Sequence, residues 1–272
     1  MHRFYLLLLV LITTCILGQQ KRHIKFYNEV KDQTVEIYAE NNEPMPISAQ
    51  LNFKLNNFSS TFENGHIVVI PANTAKFFVA KLSQIKSNAA NSYSYTYTYN
   101  FGNSLQESFD DDHIYSLPYE KGKTQSIFQG YNGKFSHRNE YSLDFDLKMG
   151  SPILAARGGT VVEVVDNFNR NCPDISCSKY NNMILILHSD GTFANYSHLK
   201  LQGATVKKGD VVEQDQLIGY SGNTGFSSGP HLHFAVFINR IDGSRTFIKT
   251  KFRTSTKEAT LLEERKNYTK NY

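Results

Sequence analysis

In residues 93–99 a tyrosine stands at every second position, Tyr93, Tyr95, Tyr97 and Tyr99, with Ser94, Thr96 and Thr98 between them. Successive side chains of a strand point to opposite faces, so this period of two predicts a strand with one aromatic and one hydroxylated face. The same texture fills residues 24–101, where the β-type runs VEIYAE, ISAQLNFKL, IVVIPA and AKFFVAKL are separated by polar turns. Five or more strands in about 80 residues predict a sandwich of immunoglobulin-like type. A tyrosine row would also suit stacking on sugars, but sheet cores use the same aromatic and β-branched pairs, and core packing is the expectation.

A second β-rich stretch occupies residues 126–239, with strands suggested by PILAA, TVVEVV, NMILILH, TFANYSHL, QLIGYS and HLHFAVFI and no helix-length amphipathic segment. Gly158-Gly159 and Asp190-Gly191 fall where hairpin turns belong. The Asp190 turn is expected to pair residues 184–188 with 193–198, carrying His198 on the same side as Tyr196 and Ala194. The fold class expected is therefore all-β, with a sandwich at 19–103, a polar and acidic linker at 104–125, a second antiparallel domain at 126–240 and a solvated tail at 241–272.

A length of 272 residues suits two such domains, and a composition 40% hydrophobic and 20% charged is that of a globular protein. Residues 1–18 begin with His2 and Arg3, continue through an apolar stretch broken only by Thr13 and Thr14, and end before the polar Gln19-Gln20-Lys21-Arg22. Too short to span a bilayer comfortably, this stretch reads as a secretory signal peptide, with the mature chain starting near Gln19 and no membrane span left after cleavage. Cys15 leaves a lipid-anchored alternative open, although Ile12-Thr13-Thr14 lacks the small residue expected before a lipidated cysteine. In an exported chain Cys172 and Cys177, a close pair around Pro173, are expected to form a local disulfide, free thiols in a surface loop being the alternative. The formal charge of +4, reduced by one when Arg3 leaves with the signal, is too small to argue for nucleic acid. A monomer is expected.

The chemistry concentrates in histidines. His231-Leu232-His233 follows the turn-rich stretch 223–230 and opens the apolar run 234–238, so one strand face carries two imidazoles. His137, Asp144 and His198 are candidate partners, and a catalytic zinc site needs nitrogen, sulfur or oxygen ligands with one position left for water. Any one of these histidines alone is better explained as structural; the set is not. His113 and His188 read as solvated loop and turn residues, and Tyr131 either lines a cleft or packs. The glycines at 219, 222, 225 and 229 are not followed by G-K-[ST], so turn geometry accounts for them.

The order H…D, then Y-x-H-L, then G-x-T-G-x-x-x-G-P-H-L-H-F resembles the zinc peptidases of the lysostaphin and M23 type, which cut peptides of bacterial cell walls. The likeness covers about 110 residues, from 129 to 237, and includes Gly150-Ser151-Pro152-Ile153 and the run V-K-K-G-D-V-V at 206–212. It implies a barrel-sandwich-like M23 domain in which His137, Asp144 and His233 hold Zn2+. It further implies His231 as an unligated general base, assisted by His198, which would also hold developing negative charge. Peptidoglycan peptides become the expected substrate and an exported bacterial setting, periplasm, envelope or medium, the expected location. Many members place three residues between the first His and Asp, whereas six separate His137 from Asp144, which brings Asp146 in as a rival ligand. The V-K-K-G-D-V-V turn also resembles biotinyl and lipoyl barrels, which need a modified lysine rather than this ligand set. A non-catalytic wall-binding or regulatory member of the same fold is the other reading.

Overall fold

A computed structural model describes residues 23–272; the expected leader at 1–18, Cys15 included, lies outside the described residues. The tyrosine alternation forms strand Ser92–Phe101, paired residue for residue with Ile47–Asn56, whose other edge takes Ile67–Ile70. Facing this three-stranded sheet is a four-stranded one in the order Ile24–Lys31, Thr34–Asn41, Thr74–Gln84, Phe58–Ser60. Ile37, Ala39, Val79 and Leu82 of the larger sheet meet Ile47, Ala49, Leu51 and Ile70 of the smaller one in a shared core. Tyr93, Tyr95 and Tyr97 pack against that core, and only Tyr99, 38% exposed, runs beyond its cover. Two antiparallel sheets sharing one apolar interior are a β-sandwich.

The second domain is built on a large antiparallel sheet. Its spatial order runs Val211–Val212, Gly159–Val165, Met183–Leu187, Phe193–Ser197, Leu232–Asn239, Ser142–Phe145, Thr124–Gln129, Asn267–Thr269, with Arg245–Ile248 also on Leu232–Asn239. A smaller sheet of Pro152–Leu154, Leu217–Ser221 and Leu199–Ala204 packs against one face. Ile153, Ile184, Ile186, Tyr196, Ile218, Leu232 and Phe234, nearly all without solvent exposure, fill the space between. The Asp190 hairpin forms, with Leu187 opposite Phe193 and Met183 opposite Ser197. Gly158-Gly159 does not close a hairpin: Pro152–Leu154 and Gly159–Val165 lie in different sheets, and the chain crosses between them. Glycine is needed at 159 because a Cβ would stand 2.4 Å from the Leu187 carbonyl oxygen.

The expected linker and tail are corrected by the structure. Within 104–125, Ile114–Tyr115 pairs in parallel with Lys251–Phe252, and Tyr115, Leu117 and Tyr119 enter the second core. Within 241–272, Phe252 and Leu262 are buried and Asn267–Thr269 forms the edge strand beside Thr124–Gln129. Charge concealed both contributions. Lys270 is 2% exposed; its ammonium donates to the Leu117 carbonyl and pairs with Asp215, which offsets part of its desolvation, burial still lowering its pKa.

The sandwich sits on the sheet face opposite this core. Met45, 1% exposed, inserts among Val162, Leu185, Phe193 and Phe237, and Asn100 donates to the Arg240 carbonyl at 2.8 Å. Among the described residues no helix is long and apolar enough to cross a membrane.

Candidate metal centre

Strand alternation divides the run 232–238 cleanly. Leu232, Phe234 and Val236 go to the core, while His233, Ala235 and Phe237 share the outer face, the first at its open end and the last beneath the sandwich. His233 lies opposite Asp144 on one neighbouring strand and opposite Ser197 on the other. Asp144 shares that face because Leu143 and Phe145, on either side of it, are core residues. His137 arrives from the turn-rich loop after Gln129, with its amide donating to the Gly133 carbonyl at 3.2 Å and its Nδ1 to that of Gly130 at 3.0 Å.

Three donor atoms converge. His137 Nε2 is 3.2 Å from Asp144 Oδ1, His233 Nδ1 is 3.0 Å from the same oxygen, and the two nitrogens are 3.2 Å apart. Two ligands each about 2.1 Å from a tetrahedral zinc would stand about 3.4 Å from one another. The donor set therefore fits a zinc ion held by three protein ligands, with room for a fourth from solvent. Burial disfavours the Asp144 carboxylate, but hydrogen bonds from His137 and His233 outweigh it and hold its pKa well below the usual carboxylate range. Burial likewise opposes the charged form of His137, and Asp144 more than compensates, so that its pKa is raised.

Two further imidazoles face this centre through Nε2, their Nδ1 being tied to backbone carbonyls. His231 Nδ1 donates to the Gly229 carbonyl at 2.8 Å, and its Nε2 stands 3.8 Å from Asp144 Oδ1. His198 Nδ1 donates to the Thr224 carbonyl at 2.7 Å, and its ring centre is 4.5 Å from that of His231. A carbonyl only accepts, so each Nδ1 carries the hydrogen and each Nε2 keeps a lone pair. Burial pushes His198 down to about 3 and lowers His231 as well, keeping both neutral near pH 7.

The side expected for His198 is corrected. Tyr196 and Ala194 point into the core, whereas His198 lines the same groove as Asn195 and Ser197. The strand ends at Ser197, and a left-handed φ of 65° at His198 breaks the alternation. Asn181 Oδ1 accepts its backbone N–H at 3.0 Å.

Two grooves lie at or near the centre. One, of about 220 Å³, is lined by Ser136, Glu140, Ile175, Asn195, His198 and Phe226. The other, of about 970 Å³, is lined by residues including Phe128, Tyr131, Phe135, Ser228 and Glu264, and Phe128 reaches the ring of His231 with centres 6.4 Å apart. Cys172 and Cys177 are disulfide-bonded with Cα atoms 5.8 Å apart, closing the loop whose short 3-10 helix, Ile175–Tyr180, walls the smaller groove.

Other residues singled out from sequence lie elsewhere. Asp146 is exposed and accepts from Ser126 Oγ at 3.2 Å, outside the donor cluster. His188 is not turn-solvated: it is 2% exposed, its Nδ1 donates to the Gly158 carbonyl at 2.8 Å, and burial pushes it down to about 4. His113 is half-buried edge-on against Tyr115 rather than free in solvent. Tyr131 does both things considered for it, lining the larger groove and hydrogen-bonding Thr250 through its hydroxyl. Gln129, whose amide lies 3.5 Å from Asp144 Oδ2 and 2.8 Å from Ser136 Oγ, and Thr224 were not identified as supports of the site. Gln129 adjoins a motif and could have been flagged, whereas Thr224 acts through a carbonyl that carries no residue-type signal.

Residues 138–244 match the family model for peptidase family M23, a match that begins one residue past His137. Lysostaphin of Staphylococcus simulans is 33% identical over 129 residues, 46% of this chain and 23% of its own. Glycyl-glycine endopeptidase ALE-1 of Staphylococcus capitis is 33% identical over 123 residues, 44% of this chain and 30% of its own. Peptidoglycan DD-endopeptidase ShyA of Vibrio cholerae is 36% identical over 95 residues, 35% of this chain and 19% of its own. The chain thus spans less than a third of the length of each of these curated relatives. The likeness to peptidase family M23 thus lies in the second domain, over residues 138–244.

Proposed function

We propose that the chain is a zinc-dependent endopeptidase, exported to the bacterial envelope or beyond it, that hydrolyses peptide cross-links of peptidoglycan. The observation that carries this reading is the convergence of His137 Nε2, Asp144 Oδ1 and His233 Nδ1 beside two histidines whose Nε2 lone pairs remain free. Relatives named as a glycyl-glycine endopeptidase and a peptidoglycan DD-endopeptidase support the substrate class. The leader expected at 1–18 supports export.

His137, Asp144 and His233 would hold the metal, which when bound supplies a Lewis acid and lowers the pKa of water in its open position. His231 Nε2 accepts the proton released as water adds to the scissile carbonyl and delivers it to the departing amine when the C–N bond breaks. Its Nδ1–H, anchored on Gly229, keeps that lone pair aimed inward. His198, fixed in the same tautomer by Thr224, acts as a second acceptor that orients the attacking water. With its Nε2 unprotonated it cannot also donate to the developing oxyanion, a narrower role than the sequence resemblance implies. The smaller groove, which holds His137, His198 and His233, receives the cross-link peptide.

Metal analysis of the purified chain together with mass analysis of products from purified peptidoglycan tests this reading. About one zinc per chain is expected, with released muropeptides cut within the cross-link. Zinc bound without any product would favour a regulatory role, and no zinc would refute the site.

A further inference from the structure

His137 is the one member of the donor triad supplied by a loop rather than by the sheet, so its orientation depends on what holds that loop. Its Nδ1 donates to the carbonyl oxygen of Gly130 at 3.0 Å, and the amide of the same Gly130 donates to Oε2 of Glu264 at 3.3 Å. Glu264 lies beyond the residues that match the family, in the terminal stretch whose charge suggested a solvated tail. That stretch is fastened beside the loop. Ile127 N–H donates to the Lys266 carbonyl at 3.0 Å, Arg265 N–H donates to that of Ile127 at 2.8 Å, and Asn267–Thr269 pairs with Thr124–Gln129. Gly130 and Glu264 also touch closely: a Cβ on Gly130 would lie 3.2 Å from the Glu264 Cβ and 3.3 Å from its amide nitrogen.

We infer that Glu264 is a positioning residue for the metal centre, acting through the backbone position of Gly130 on the ring of His137. By holding the Gly130 N–H and packing its own Cβ and amide against that residue, Glu264 fixes the place of Gly130 and so of the carbonyl on the other side of its Cα. That carbonyl fixes the Nδ1–H tautomer and the ring plane of His137, which leaves Nε2 directed at the metal. Outer partners of this kind govern metal affinity although they never touch the ion. The C-terminal strand thereby becomes part of the metal site. This inference rests on the zinc reading proposed above.

Zinc affinity measured by chelator competition on the full chain, with the absorption spectrum of the Co2+-substituted protein as a second readout, tests it. Glu264→Ala is expected to weaken zinc binding about ten- to hundredfold and to alter the cobalt spectrum, while Glu264→Gln, which keeps an acceptor oxygen, recovers most of the affinity. Gly130→Ala, whose added methyl crowds Glu264 and shifts its carboxylate off the Gly130 N–H, is expected to weaken zinc likewise and carries the comparison should Glu264→Ala fail to fold. Glu258→Ala removes an exposed carboxylate of the same stretch, paired with Arg253, and should leave affinity unchanged. Wild-type affinity in both Glu264→Ala and Gly130→Ala, or an equal loss in Glu258→Ala, overturns the inference. A wild-type chain that binds no zinc overturns instead the functional reading beneath it.

Discussion

The imidazoles of His231 and His233 approach one carboxylate with different nitrogens. His233 meets Asp144 Oδ1 through Nδ1 at 3.0 Å, whereas His231 has its Nδ1 tied to Gly229 and leaves Nε2 at 3.8 Å. One nitrogen sits at ligand-to-ligand distance and the other stands farther off; under the proposed function it is the proton acceptor. His233→Ala should therefore empty the site, while His231→Ala should keep about one zinc per chain and lose a factor of about 10²–10⁴ in cleavage rate. Metal content and digestion kinetics of the two variants decide this, and equal zinc loss in both would remove the division of roles. His188 makes a separate claim about stability. Its folded pKa is depressed to about 4 by burial, so the folded protein holds fewer protons than the unfolded chain between that pH and the ordinary value of 6.5. Stability from this group is complete above pH 6.5 and is lost as pH falls toward 4, by on the order of 3 kcal/mol. Denaturant titrations across that range should show a flatter pH dependence for His188→Gln than for the wild type.

At the scale of elements, the disulfide loop forms one wall of the site. Asn171–Cys172 pairs in parallel with Gly225–Phe226, so one short bridge joins the loop carrying Ile175 to the wall carrying Phe226. Replacing Cys172 and Cys177 with serine should cost about 2 kcal/mol of stability by chain entropy. It should raise KM more than it lowers kcat, because the groove loosens while the sheet holding Asp144 and His233 does not; a fall in kcat alone would contradict this. Strands were legible wherever alternation and a turn signal coincided, as in residues 93–99 and the Asp190 hairpin. The donor triad was legible because His137, Asp144 and His233 fall in recognisable motifs. The turn at His198 was not, since a left-handed backbone at a histidine has no marker in residue type. Ile114–Tyr115 and Lys251–Phe252 are two-residue strands paired across most of the domain, far too short for a periodic signal.

At the scale of the whole molecule, one sheet face serves two purposes. His233, Ala235 and Phe237 alternate onto it from a single strand, with the candidate metal centre at one end and the sandwich at the other. Met45 is the anchor of the docked end, buried to 1% against Val162, Leu185, Phe193 and Phe237. Lys208 reinforces the contact by pairing with Glu43, whose carboxylate, despite burial, is held below its usual range by Lys208 and His23. The residues lining the two grooves all fall between 126 and 265, so the sandwich supplies no wall to the site. If it serves to stiffen the sheet, weakening its anchor should cost stability and leave the chemistry alone. Met45→Ala is accordingly expected to lower unfolding free energy by about 2–5 kcal/mol while kcat and KM toward peptidoglycan stay within twofold of wild type at temperatures where the variant remains folded. A sandwich that restrains the active domain would give the opposite sign, a gain in activity as the anchor loosens. Thermal unfolding and muropeptide release measured on the same preparations separate the two.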